Sequence, residues 1–153
     1  MAFTLTSPAF GPGAAIPVRY TCDGEGLCPE LTWHDAPSGV RSFAIVMDDP
    51  DAPSGTFTHW LLCDMPPTAT AVPEAARADQ LGTPGTNGFG KVGYGGPCPP
   101  RGDRPHRYRF RIYALDRRLD LPHGFARRLL DAGLTAGALA SAELTGSYGR
   151  GRT

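Results

Sequence analysis

The stretch HRYRFRIYALD, residues 106–116, has the clearest secondary-structure signal in the chain. Apolar or aromatic side chains stand at every second position, mostly with arginines between them. Because successive side chains of a β-strand point to opposite faces, this alternation predicts a strand with one buried and one charged face. The buried face is expected to hold Tyr108, Phe110, Ile112 and Ala114, and the charged face Arg107, Arg109, Arg111 and Tyr113.

Other short apolar runs bounded by turn residues also predict strands. They are AIPVRYT (15–21), LTWHDAP (31–37), VRSFAIVMDD (40–49) and HWLLCDM (59–65). The chain has 20 glycines and 16 prolines, which stand between the runs as turn residues and form no low-complexity tract. The pattern predicts a mainly β fold, a two-sheet antiparallel β-sandwich with one or two short helices.

Helical signals are confined to the C-terminal part of the chain. The segment HGFARRLLDAG (123–133) has apolar residues at helical spacing, and Gly133 is expected to end the helix. The segment TAGALASAELTGSY (135–148) is ambiguous, because its alanines and leucines favour a helix whereas its last residues resemble a strand. Earlier in the chain, residues 66–105 show little regular pattern, and functional loops are one explanation for an irregular segment of this length.

Size and charge restrict the classes of partner. The 153 residues predict one domain over residues 1–153. Fifteen basic and fifteen acidic residues balance, so nucleic acid and anionic membrane are not expected partners. The first residues show no basic segment followed by an apolar run, and no run has the length of a membrane span, so neither a signal peptide nor stable membrane insertion is expected. These features predict a cytoplasmic protein.

The four cysteines stand at positions 22, 28, 63 and 98. Because no secretion signal is visible, reduced thiols are expected rather than disulfides. Cys22, Cys28 and His34 lie close together in the sequence, but no CxxC pair supports a zinc site. The sequence therefore predicts no bound metal.

The segment MDDPDAPSGTFTHW, residues 47–60, places three carboxylates directly after a predicted buried strand. Carboxylates so close repel one another unless they are solvated, accept backbone hydrogen bonds, or share a cation or a proton. Prolines at 50 and 53 stiffen the turn, and Ala52–Pro53 is a candidate for a cis peptide bond. Taken alone, the segment favours a solvated structural turn over a binding site.

Histidines stand at the start of two predicted strands. His59 and Trp60 are expected to point to opposite faces of their strand. The loop GGPCPP (95–100) cannot form a central strand, because proline donates no ladder hydrogen bond, and it leads into His106 and Tyr108 on one strand face. These side chains fit either a small polar pocket or a core histidine held by backbone groups, with a solvated arginine face behind it.

Four segments taken together carry a family resemblance. They are DDPDAP followed shortly by HW, then GPCPPRGDRPHRYRFRIYALD, TCDGEGLCPELTW (21–33) and AELTGSYGR (142–150). They resemble the phosphatidylethanolamine-binding protein family, in its bacterial, Raf-kinase-inhibitor-like branch, over nearly the whole chain. The resemblance implies a β-sandwich with Greek-key connections and a small anion-accepting pocket at one end.

The resemblance also implies which residues form the pocket. They are Asp49, Asp51, His59, Gly96, Pro97, His106 and Tyr108. His59, His106 and Tyr108 would donate hydrogen bonds to a phosphoryl or carboxylate anion, and the two carboxylates would orient the histidines and raise their pKa. Tyr148 is a further candidate near the pocket.

The preferred interpretation is a small-anion or phosphoryl-head-group binding protein that is not an enzyme and needs no cofactor. Relatives imply two further expectations, a protein partner such as a kinase or protease and a two-fold homodimer. One alternative is a phosphoester or peptide hydrolase with the histidines and carboxylates as general acid and base; no GxSxG, Walker or HExxH motif supports it. Another is a protein inhibitor that acts through the arginine face of residues 107–111.

Overall fold

The computed structural model describes residues 2–77 and 80–151. Within them the chain forms short strands, one α-helix and a 3-10 turn, and the mainly β prediction is confirmed. The elements are β1 Thr4–Thr6, β2 Leu31–His34, β3 Ser42–Asp49, β4 Phe57–Met65, β5 Ala71–Val72, β6 Thr83–Pro84, β7 His106–Leu115, α1 Arg127–Gly137 and β8 Ala138–Tyr148.

The strands form two antiparallel sheets, as predicted. One sheet has the order β1-β2-β5 and the other the order β6-β4-β3-β7-β8. In the larger sheet β3, β4 and β6 follow one another side by side, and β7 returns to the free side of β3. This arrangement, with the fourth strand beside the first, is a Greek key. It brings the last residue of β3 and the first residues of β4 and β7 to one edge of the sandwich.

Strand β3 is buried along its whole length because both faces of the larger sheet are covered. Phe43, Ile45 and Met47 pack in the core between the two sheets. Ala44 and Val46 belong to a second apolar cluster on the other face, which includes the buried Leu130 of α1. One face of the larger sheet, the sheet-facing side, therefore packs against the smaller sheet. The other face, the helix-facing side, packs against α1, and each side chain of β3 lies on one of these two sides.

Strand β7 shows the alternation that the sequence predicted. His106, Tyr108 and Phe110 are buried, whereas Arg107 is exposed. The arginines at 109 and 111 differ from the expected solvated face, because their side chains are only 30% and 24% exposed. They lie on the side of the sheet that α1 covers, and they have a buried partner there.

The prediction of a strand over residues 15–21 is wrong. Val18–Tyr20 form a 3-10 turn, and Tyr20 N–H donates to the carbonyl oxygen of Pro17 at 3.1 Å. Ala15 makes an isolated bridge to Ser147. The cause is Pro17, which has no N–H for a sheet ladder and whose φ of −58° suits the start of a tight turn.

The helix and the last strand divide the ambiguous C-terminal segment between them. Helix α1 continues to Gly137, so Gly133 lies inside the helix and does not end it. A Cβ at Gly133 would lie 2.6 Å from a methyl carbon of Leu119, so this position accepts only a glycine without rearrangement. From Ala138 the chain pairs with β7 over its whole length. Sheet pairing here overrides the helical preference of alanine.

Two further expectations from the sequence concern a cis peptide bond and membrane-spanning segments. No peptide bond in the part of the chain that the structure describes is cis, so the prediction for Ala52–Pro53 is wrong. None of the helical residues described forms a stretch long and apolar enough to cross a membrane.

Candidate functional site

A small cavity opens at the edge of the larger sheet where β3 ends and where β4 and β7 begin. Its volume is about 140 Å³. Four polar side chains line it, Asp49, His59, His106 and Tyr108. Its remaining walls are aromatic, proline-rich or small: Ala52, Pro53, Phe57, Phe89, Cys98, Pro99 and Pro100. The cavity thus combines convergent polar groups with stiff apolar walls, which is typical of ligand sites.

Asp49 enters this cavity because β3 alternates to its last residue. Its Oδ2 atom accepts a hydrogen bond from His106 Nδ1 at 2.6 Å, and both side chains are only 5% exposed. Its Oδ1 atom accepts from the backbone N–H of Asp51 at 2.8 Å. Each carboxylate oxygen of Asp49 therefore accepts a hydrogen bond, and the two bonds fix the buried carboxylate in place.

His106 contacts a carboxylate through each ring nitrogen. Nδ1 lies 2.6 Å from Asp49 Oδ2, and Nε2 lies 3.0 Å from Asp103 Oδ2. Burial opposes the charged ring, but hydrogen bonds and charges of the two carboxylates outweigh it and raise the pKa of His106. Because carboxylates only accept hydrogen bonds, this geometry favours the imidazolium, with a proton on both nitrogens.

His59 reaches the cavity through a β-bulge in β4. Met47 pairs with Trp60 whereas the next residue, Asp48, pairs with Thr58, so His59 is an extra residue opposite β3. Such a bulge re-aims the side chains around it. His59 lines the cavity, and Trp60 packs in the core between the sheets. The prediction that these two side chains point to opposite faces is therefore wrong.

His59 differs electrically from His106. Its Nδ1 lies 2.7 Å from the carbonyl oxygen of Gly95, which can only accept, so Nδ1 carries the proton. Burial lowers the pKa of His59, and the nearby carboxylates and carbonyls compensate incompletely. The ring is therefore neutral at pH 7 and presents Nε2 as an acceptor. The sequence had predicted a donor at this position.

Tyr108 lies between the two histidines. Its ring is 5.2 Å from that of His59 and 6.4 Å from that of His106, measured between centroids. Its hydroxyl group is buried and has no hydrogen-bond partner in the described part of the chain. Burial, and secondarily the charge of Asp49, raises the pKa of this phenol, so it keeps its proton. An unpaired buried hydroxyl costs about 1–3 kcal/mol, and an entering acceptor would recover this cost.

The comparison with known proteins agrees with this architecture. A family model described as phosphatidylethanolamine-binding protein matches residues 6–149. The chain belongs to the phosphatidylethanolamine-binding protein family. Similar chains include the UPF0098 protein of Aquifex aeolicus, which is 45% identical over 152 residues covering 94% of this chain and 86% of that protein.

Two solved structures have the same fold as this family member. YbcL of Escherichia coli, described as a member of the mammalian family, superposes with a TM-score of 0.91 at 34% identity, over 98% of this chain and 99% of that one. CT736 of Chlamydia trachomatis, described as a homologue of the family, gives a TM-score of 0.90 at 36% identity, over 97% and 98%. The predicted family and fold are thus confirmed.

Four of the residues predicted for the phosphatidylethanolamine-binding protein pocket meet in the cavity, whereas three lie outside its lining. Asp51 points to Arg107, accepting from its backbone N–H at 2.9 Å and from its guanidinium at 2.8 and 3.0 Å. Hydrogen bonds from Arg107 lower the pKa of Asp51 to about 2. Within the described residues the Asp51 carboxylate therefore makes no hydrogen bond to either histidine ring.

Gly96 and Pro97 support the cavity wall from behind. A Cβ at Gly96 would lie 2.6 Å from the carbonyl oxygen of Tyr20, so the backbone here needs glycine for its close approach. The carbonyl oxygen of Pro97 accepts from Cys22 N–H at 3.1 Å. Tyr148 is outside the cavity lining too, and its hydroxyl donates to Asp23 at 2.5 Å.

A disulfide between Cys22 and Cys98 anchors the proline-rich wall. The expectation of reduced thiols is therefore wrong for these two residues, whereas Cys28 and Cys63 are free and buried. Cys98, Pro99 and Pro100 all line the cavity, so the cross-link joins the wall directly to the loop around Cys22. The 76-residue separation of the pair left no local signal for it in the sequence.

Counting thiols tests this pairing. Denatured protein that has not met a reductant is expected to show two free thiols, those of Cys28 and Cys63, and four after reduction. The measurement is a colorimetric thiol assay with blocked and unblocked samples. A Cys22→Ser/Cys98→Ser variant should give two thiols in both states. Four thiols in the unreduced wild type would contradict the disulfide.

Asp48 is a functional neighbour that the sequence interpretation missed. It is fully buried on the helix-facing side, so the expected solvated turn is wrong for it and for Asp49. Its carboxylate accepts from the guanidinium groups of Arg109 at 2.9 Å, Arg111 at 3.0 Å and Arg127 at 3.0 Å. Two of these arginines had been assigned to a free charged face. The sequence alone does not show that Asp48 on β3 stands opposite Arg109 on β7, and this strand register is what predicts their contact.

Proposed function

We propose that the cavity binds a small phosphoryl or carboxylate anion, and that this protein is a binding protein without catalytic turnover. The observation that carries the proposal is the buried, unpartnered hydroxyl of Tyr108 beside the protonated ring of His106. An anionic oxygen at this point would accept from the Tyr108 hydroxyl and, once the Asp103 carboxylate leaves Nε2, from the His106 ring as well. Hydrogen bonds with a charged partner are roughly twice as strong as neutral ones.

The size of the cavity supports a ligand of few atoms. Its volume is about 140 Å³, whereas pockets for drug-sized ligands occupy roughly 300–1,000 Å³. A cavity of about 150 Å³ in another protein holds benzene. Phosphate, sulfate or acetate therefore fits inside, and any larger substituent would extend through the opening.

The mixture of donors and acceptors favours a phosphoryl head group. His106 and Tyr108 donate, while His59 Nε2 and the Asp49 carboxylate accept. A ligand that carries both a phosphoryl group and an ammonium or hydroxyl group could satisfy all of them. Phosphoethanolamine has this combination, and we place its phosphoryl group on the side of His106 and Tyr108.

Replacing Tyr108 by phenylalanine tests the proposal at one atom. Tyr108→Phe is expected to weaken phosphate and phosphoethanolamine binding by about 10- to 100-fold, because a hydrogen bond to a charged group contributes about 1.5–3 kcal/mol. Isothermal titration measures the change. Thermal stability should not fall, because the hydroxyl has no hydrogen-bond partner in the described part of the chain.

Tyr113→Phe provides the matched control. Tyr113 lies on the same strand, and its hydroxyl meets Arg111 at 3.3 Å, outside the cavity lining. This variant should bind both ligands as the wild type does. Equal affinities for wild type and Tyr108→Phe would refute the assignment of the cavity as the anion site.

One observation favours hydrolysis as the second candidate. The neutral His59 ring presents an unprotonated Nε2, as a general base must, while His106 holds a proton as a general acid. Among the lining residues described, however, none is a serine or a free thiol that could act as nucleophile. A phosphoester screen in which turnover appears and disappears with His59→Ala would favour the enzyme.

The proposal extends to the compartment of the protein and to its binding partners. The Cys22–Cys98 disulfide favours an oxidising compartment over the cytoplasm that the sequence predicted. A kinase or protease partner and a two-fold homodimer stay predictions. Light scattering on the oxidised protein tests the dimer, and a pull-down with the His106→Ala protein as a second bait tests whether a partner depends on the cavity.

A further inference from the structure

The two carboxylates on His106 are held very differently. Asp49 is 5% exposed and has a second hydrogen bond, from the backbone N–H of Asp51. Asp103 is 39% exposed, and within the described residues its carboxylate has no other hydrogen bond or ion pair than the one to His106 Nε2. Asp49 is thus built into the sheet edge, whereas Asp103 can leave by moving an exposed side chain.

Asp103 belongs to the loop that continues the cavity wall. Pro99 and Pro100 line the cavity, and the N–H of Asp103 contacts the carbonyl oxygen of Pro100 at 3.3 Å. The neighbouring Gly102 has a φ of 89°, which favours glycine. The loop folds back so that Asp103 contacts Nε2 of His106 from just outside the cavity lining, in a neighbouring surface cavity that Arg104 and Pro105 also line. The buried imidazolium is covered by a carboxylate that belongs to the chain itself.

We propose that Asp103 is a built-in competitor of the ligand: its carboxylate occupies the Nε2–H donor of His106 in the empty site and releases it when a phosphoryl or carboxylate anion binds. This inference rests on the proposed anion site. It assigns to Asp103 a positioning role in setting the affinity, because every anion that uses this donor must first displace the carboxylate.

Several titratable or charged groups surround His106 in the described part of the chain. The groups that face it from the surrounding elements are Asp49, Asp51, Asp103, Arg104, Tyr108 and Tyr148. His59 joins them across the cavity. Asp51 is occupied by Arg107, and Tyr148 by Asp23. Of these groups, Asp49 and Asp103 make direct hydrogen bonds to the ring.

Removing Asp103 has two separable effects. It leaves only a neutral amide oxygen at the donor, which competes with an anion less strongly than the carboxylate does, so anion binding strengthens while His106 stays protonated through Asp49. It also removes one of the carboxylates that raise the pKa of His106, so the ring loses its proton at a lower pH. The variant should therefore bind more tightly in mild acid and lose binding earlier as the pH rises.

The test compares wild type with Asp103→Asn, using sulfate as the probe because it keeps its charge over the working range. At about pH 5.5, where a histidine is mostly protonated, the variant should bind sulfate about fivefold more tightly, a modest change expected for a partly exposed ion pair. Nuclear magnetic resonance titration of the His106 ring should show a lower pKa in the variant.

Asp120→Asn is the charge-matched control. Asp120 pairs with the exposed Arg118 and has a φ of 52°, which asparagine tolerates. It should change neither the affinity nor the His106 titration. The fivefold gain should also persist at raised ionic strength, where long-range attraction is screened but direct competition is not.

Each outcome of this comparison decides the inference. If wild type binds sulfate and Asp103→Asn binds it equally or more weakly at about pH 5.5, where His106 is charged, Asp103 is not a competitor. If the Asp120→Asn protein gains as much, net charge is the cause and the inference is overturned. If neither wild type nor Asp103→Asn binds sulfate, phosphate or acetate, the anion site itself is wrong and the inference is overturned with it.

Discussion

His106→Ala is expected to reduce the affinity for inorganic phosphate roughly 30-fold or more, because truncating one partner of a buried charge pair costs about 2–5 kcal/mol. The substitution removes the charged donor from the cavity. It also leaves the carboxylate of Asp49, which is 5% exposed, without its partner at 2.6 Å. An unpaired carboxylate in the cavity repels the same anions that the imidazolium attracts.

Isothermal titration with phosphate measures this loss, and His123→Ala is the control. His123 is an exposed loop residue outside the cavity lining, so its variant should bind as the wild type does. Wild-type affinity in the His106→Ala protein would remove the histidine from the site.

The pKa of His106 is raised above its ordinary value, so its contribution to stability is present below about pH 6.5 and lost as the pH rises through the raised pKa. The variant should lack this pH dependence.

Asp48→Ala is expected to lower the free energy of unfolding by about 3–5 kcal/mol, the usual cost of breaking a buried ion pair from one side. The carboxylate is fully buried, and Arg109, Arg111 and Arg127 all donate to it. Without it, three guanidinium groups face one another with no central anion. Because Arg127 belongs to α1, the helix is expected to lose its main polar attachment to the sheet.

Urea unfolding of the oxidised protein measures this change, and Glu143→Gln is the control. Glu143 is 49% exposed and lies 3.8 Å from Arg111, so its loss should cost less than about 1 kcal/mol. A cost this small for Asp48→Ala would show that the arginines find other partners. Asp48→Asn keeps the shape of the side chain, and it should lose most of the same stability if charge is the cause.

The larger sheet was predictable where the signal was local. The alternation in residues 106–116 and the apolar run in residues 40–49 became β7 and β3 because each pattern reports which side chains are buried. The segment 15–21 has a similar apolar content, yet Pro17 turns it into a 3-10 turn. The short strands β5 and β6 had no pattern of their own, because two residues cannot show a period.

The site was predictable in its residue types but less so in its contacts. Asp49, His59, His106 and Tyr108 meet in the cavity, as the family resemblance implied. Asp51 was expected to orient the histidines, but its carboxylate pairs with Arg107 instead. The exposed Asp103, three residues before His106, was not singled out at all, because a turn must bend back to bring it to the ring.

By itself, the sequence determined the family, the alternating strands and the stock of charged and aromatic side chains available to the cavity. These are properties of neighbouring residues, since strand period and proline chemistry act over a few positions. The tertiary structure alone decided the bulge that turns His59 inward, the Cys22–Cys98 cross-link and the partners of Asp48 and His106. Asp49 and His106 are 57 residues apart in the chain. Whether such groups meet depends on the register between strands, where a shift of one residue would send each side chain to the other face.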